Sequence, residues 1–184
     1  MHSEVTTMSD KADATVLLGG STTETTGLTG YYDVKCLDSA GNVKWEETIT
    51  NLVTTVGKND ILDKYFAGTS YTAAWYMGLV DGASTPTYAV GDTLASHSGW
   101  TELAAGTAYS GSRPTVSWSA ASAGSKASTA TTFTISASNT VAGAFLATTT
   151  DNTGVLYSAG SFTGGNRSVA SGDTLLVTYT AVAA

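Results

Sequence analysis

The 184-residue chain contains one cysteine, Cys36, along with two histidines and two prolines. A lone cysteine excludes an intrachain disulfide framework and any CxxC metal site, so stability has to come from packing or from partners. Only His2 and His97 offer an imidazole, which leaves little material for general-base chemistry. Charge is scarce as well: 12% of residues are charged, eight basic against fifteen acidic, giving a net charge of −7 and a pI near 4.5. Such a surface repels nucleic acid, and no nucleic-acid partner is expected. No stretch approaches the roughly 20 apolar residues of a membrane span, so no membrane partner is expected either. Met1 to Ser21 carries Glu4, Asp10 and Asp13 and lacks a basic stretch followed by an apolar run, so it does not read as a secretory signal. Synthesis in a reducing cytoplasm follows as the expectation.

What fills the chain instead is Thr, Ser, Ala and Gly, which together make more than half of it, and 42% of residues are apolar. That length and composition suit one domain with a real core. The charges are unevenly placed. Residues 1–102 hold thirteen acids and five lysines, net −8, whereas residues 103–184 hold Asp151 and Asp173 against Arg113, Lys126 and Arg167, net +1. Free monomers usually place charges on exposed faces and sheet edges, so a charge-poor half suggests burial against copies or partners, or solubility supplied by hydroxyls.

Residues 1–30 are polar and β-branched with one apolar knot, Val16-Leu17-Leu18, and no helical period. They read as an extended N-terminal arm that cannot bury enough apolar surface alone to offset its ordering entropy. Residues 31–184 read as a single domain. Tyr31–Leu37 and Val43–Ile49 alternate on either side of Asp38-Ser39-Ala40-Gly41-Asn42, a hairpin signature. One segment, Asn59–Phe66, has a helical stripe of Ile61, Leu62, Tyr65 and Phe66, predicting a short helix that plugs the sheets. Ala73–Val80 is an apolar run of strand length, predicting a strand buried on both faces. Residues 83–111 form a long ordered loop region. Further strands are expected at 115–119, 131–136, 141–148, 155–158 and 174–182, separated by Gly-, Asn- and Asp-containing turns. The resulting fold class is all-β, a β-sandwich or jelly-roll-like domain with one short helix and the extended arm.

Chemistry is hard to find. His97 sits between serines with no GxSxG, which suits a hydrogen-bonded loop histidine better than a triad. Asp92 and Glu102 bracket that loop and offer at most a carboxylate pair for glycoside hydrolysis. Asp151-Asn152-Thr153-Gly154 resembles the start of a calcium loop without its later oxygens, so turn chemistry explains it more simply. Asn166-Arg167-Ser168 fits a glycosylation sequon but lacks an accompanying signal. No catalytic residue, metal site or cofactor is assigned. Among the aromatics, Trp75 and Trp118 lie within strand patterns and read as core. Trp100 and Tyr109, in the Gly-rich region, are candidates for a contact surface together with the Val16-Leu17-Leu18 knot.

A series of blocks in order then carries a likeness. It runs from Asn51-Leu52-Val53 through Gly57–Asp63, Ala74–Leu79, Asp92–Glu102, Tyr109 and Arg113 to Gly143–Leu146 and Gly172–Leu175. Over roughly residues 51–180 it resembles small structural proteins encoded by tailed bacteriophages. The resemblance implies a non-enzymatic virion component on the capsid surface, a decoration or cement protein whose partners are the major capsid protein and copies of itself. The arm before Gly30 lies outside the blocks. A tail or fibre module that binds a receptor or carbohydrate is the alternative.

Overall fold

The computed structural model describes residues 27–66 and 74–183. Its elements are β1 (Leu28–Leu37), β2 (Val43–Thr50), β3 (Leu52–Val53), α1 (Thr55–Phe66), β4 (Tyr76–Asp81), β5 (Ser125–Ala127), β6 (Thr131–Thr134), β7 (Asn139–Ala147), β8 (Leu156–Ser161), β9 (Arg167–Val169) and β10 (Thr174–Ala183). They make an all-β, sandwich-like fold of two antiparallel sheets with one helix. The first sheet runs β2-β1-β10, with β5 and β6 both beside β10, at its Thr180–Val182 and Thr174–Val177 stretches respectively. The second runs β3-β8-β7-β4, with β9 pairing the start of β7.

The β1–β2 hairpin forms as its sequence predicts. Asp38 Oδ1 accepts from the amides of Ala40 (2.9 Å) and Asn42 (2.8 Å), and Gly41 takes the left-handed φ of +86° that closes the turn. Along β1 the side chains of Tyr32, Val34 and Cys36 alternate into the core, where they meet Leu175, Val177 and Tyr179 of β10. That period of two comes directly from the pleat. The expected arm, by contrast, ends sooner than residue 30. Leu28, Thr29 and Gly30 already pair with Ala183, Val182 and Ala181, because β10 is long enough to give them partners. Gly30 is required there, since a Cβ would lie 2.2 Å from the Tyr179 hydroxyl.

β4 and β7 are buried on both faces, as the apolar run at 73–80 predicts for β4. One face joins the core between the sheets. The other is covered by residues of the long loop, with Tyr88, Leu94 and Trp100 forming a second cluster around Val80, Phe145 and Leu156. The same loop closes sheet edges. Leu103 N donates to Leu79 O (2.8 Å) and Met77 N to Pro114 O (3.0 Å) along β4, while Ser119 N donates to Ala127 O (2.9 Å) along β5. Residues 115–119 therefore do not build the expected strand. They make single bridges, Thr115 to Tyr76 and Trp118 to Ser128, because each serves a different sheet.

The helix starts earlier than its stripe predicts. Thr54 caps it by accepting from the Gly57 amide at 3.0 Å, and its hydroxyl donates to the Leu156 carbonyl. Gly57 packs directly on β8, where a Cβ would lie 2.6 Å from the Tyr157 carbonyl oxygen. The helix thus docks through its first turn. The expected apolar plug is only partly realised: Ile61 packs against the core, while Leu62, Tyr65 and Phe66 are 50%, 80% and 77% exposed.

Candidate docking site: an aromatic pocket beside the helix

Of the contact residues expected from sequence, Val16, Leu17 and Leu18 lie outside the described residues. Trp100 and Tyr109 are not surface residues, being 4% and 1% exposed. Trp100 stacks on His97 with ring centroids 3.8 Å apart, approaches Phe145 at 5.2 Å, and donates its indole N–H to Asp92 Oδ2 at 3.2 Å. Tyr109 packs edge-on against Phe133 at 5.0 Å between the sheets. The Gly-rich context that suggested exposure reflects a loop folded flat over strands, and large rings are what fill the space beneath it.

The candidate catalytic groups are each occupied in holding this loop. His97 Nδ1 lies 3.1 Å from the Trp100 carbonyl. Asp92 accepts from Trp100 and from the Ala89 amide (3.0 Å), whereas Glu102 pairs with Arg113 through Nε (2.8 Å) and Nη2 (2.5 Å). Arg113 also donates to the carbonyls of Thr149 (3.1 Å) and Asp151 (2.6 Å), so it ties the long loop to the β7–β8 turn. In that turn Asp151 Oδ1 accepts from Thr153 N and Oγ1, which holds its carboxyl below the usual carboxylate range. Asn166 donates its amide to Gly82 O at 2.8 Å, a structural use of the sequon asparagine. Among the described residues, no group of three or more His, Cys, Asp or Glu side chains could hold a metal ion, and no helix is long and apolar enough to cross a membrane.

What the fold does assemble is a pocket of about 300 Å³ between α1 and the ends of both sheets. Trp75, just before β4, meets Tyr157 of β8 edge-on at 5.4 Å and Trp118 at 6.3 Å. Trp118 in turn meets Tyr179 of β10 at 6.2 Å. Ile61 and Tyr65 of the helix form another wall. Burial pushes the phenols of Tyr157 and Tyr179 up, so both stay neutral hydrogen-bonding rings. Polar groups are few. Lys64 is paired with Asp60 at 2.9 Å, and Lys126 Nζ donates to the Ser119 carbonyl at 2.8 Å without an acidic partner among the described residues. The Trp118 indole N–H is buried and meets no acceptor.

Trp75 and Trp118 read as core from their strand patterns, and they are in fact half-buried, one side in the core and the other in the pocket. No periodicity could show this, because the pocket joins residues from positions 60 to 181. Such an arrangement can bind an apolar group that brings a hydrogen-bond acceptor or negative charge to its mouth. No protein-family model matches the chain, and no curated protein is similar to it in sequence.

Proposed function

We propose that this chain is a non-enzymatic structural component of a tailed-phage virion, a decoration or cement protein that stabilises the head by binding capsid subunits and copies of itself. One observation carries the reading: an apolar helix end, Leu62, Tyr65 and Phe66, stands exposed beside an aromatic pocket. The blocks resembling phage structural proteins support it from the sequence. The ties of His97, Asp92 and Glu102 to packing partners agree with it. The mechanism is linkage, since a protein that binds only the assembled shell stabilises that shell by its binding free energy, repeated over many sites. The test compares the melting of shells carrying the chain with shells lacking it. A higher melting temperature with the chain is expected, and equal temperatures remove the proposal.

A second reading, a tail or fibre module that binds carbohydrate, is favoured by Trp75 and Trp118 at the pocket wall, since aromatic faces bind sugar rings. Binding on a glycan array, with no binding to shells, would select it.

A further inference from the structure

We infer that the aromatic pocket is the seat of the Val16-Leu17-Leu18 knot from the arm of a neighbouring copy. The inference rests on the assembly reading above and names the contact that joins copies. Three observations converge on it.

The first is chemical fit. The pocket is walled by Ile61, Trp75, Trp118 and Tyr157, an apolar and aromatic lining. An extended peptide supplies branched aliphatic side chains for such walls. The second is charge. Lys126 stands at the pocket without an acidic partner among the described residues, beside the paired Lys64 and Asp60, while residues 1–26 carry Glu4, Asp10, Asp13 and Glu24 against Lys11, net −3. The acids lie on both sides of the knot in sequence, so seating the knot brings them toward Lys126. The third is placement. The arm enters the fold at Leu28, paired with Ala183, and Ala181 two residues earlier lines the pocket and pairs with Lys126. Arm root and pocket therefore share one end of the first sheet, and the nine residues from Leu18 to Gly27 span at most roughly 30 Å, enough to cross to an adjoining copy.

A neighbouring copy is the occupant, rather than the chain's own arm, because one partner then accounts for both features. The subunit that donates the knot also covers Leu62 and Phe66, which lie outside the pocket lining and which the knot seated from within the same chain leaves bare. Exchange of this kind is self-complementary: each copy offers the same arm and the same pocket.

Disulfide trapping between differently tagged full-length copies tests this directly. One copy carries Leu18→Cys and the other Lys126→Cys; the native Cys36 is buried and does not compete. Mixing and mild oxidation should give a product bearing both tags. A companion variant with Leu17→Asp and Leu18→Asp alters none of the described residues and should sediment as a monomer where the unaltered chain sediments as an oligomer. Three results overturn the inference: no cross-link, a cross-link formed only within a chain carrying both cysteines, or an unaltered chain that is itself monomeric. Shell melting separates this from the wider proposal. If the double-Asp variant raises the shell melting temperature as fully as the unaltered chain, the arm contact falls and the cement reading stands. If the tagged copies cross-link but the chain does not stabilise shells, the arm contact stands and the cement reading falls.

Discussion

Arg113 shows how one side chain can fix a long loop. It is 4% exposed, holds Glu102 through two nitrogens and binds two carbonyls of the β7–β8 turn, with its guanidinium 5.0 Å from the Phe145 ring centre. Replacing it with alanine strands a partly buried carboxylate and several acceptors. Arg113→Ala is expected to lower stability by about 3 kcal/mol, read from the urea midpoint. Asp173 is the second such residue. Burial works to raise its carboxyl, but the Lys44 ammonium at 2.5 Å and the Ala170 amide at 2.8 Å outweigh that and hold it below the ordinary range. A depressed folded-state value means stability that is complete above about pH 4 and lost as pH falls through the carboxylate range. Melting temperature followed from about pH 6 to pH 2 should fall less steeply for Asp173→Asn than for the unaltered chain. Neither role was legible in the sequence, because a charge in a loop gives no sign of which distant carbonyl or amide it will meet.

At the scale of elements, the long strands that local pattern specifies formed, while the one expected at 115–119 did not. The β1–β2 hairpin, β4, β7 and β10 were legible because their alternation or apolar runs extend over six or more residues. β3, β5 and β9 were not, being two or three residues long and made only by the longer strands they pair with. The helix was half legible. Its stripe predicted the element, but the burial assigned to that stripe belongs to Gly57, whose lack of a side chain allows the backbone to lie on Tyr157. Leu62, Tyr65 and Phe66 are therefore available for contact at little cost to the fold. The double variant Tyr65→Ser/Phe66→Ser is expected to keep its stability within about 0.5 kcal/mol in isolation while losing shell stabilisation. Chemical denaturation and shell melting read the two effects separately.

Over the whole molecule, the core is built with an unusual reliance on tyrosine. Burial raises the phenols of Tyr32, Tyr109 and Tyr179, lifts Tyr88 to about 12, and pushes the Cys36 thiol up to about 11. For a group raised on folding, the stability it contributes is present below its unfolded value and is lost as pH rises. The fold should therefore loosen in a cooperative step above about pH 10, with tyrosine ionisation by ultraviolet absorbance coinciding with the loss of circular dichroism. Exposed phenols would instead titrate smoothly with the fold intact.

By itself the sequence determined the class of the molecule, its principal hairpin, the long strands and the position of its helix. These depend on period-two alternation, turn residues and apolar runs, all of which act between near neighbours in the chain. Only the tertiary structure decided that Trp100 and Tyr109 are interior, that the long loop caps one sheet and seals edges of both, and that Trp75 and Trp118 share a pocket with the helix. Burial is a property of what comes to lie on top of a residue, and here the covering segments arrive from far along the chain.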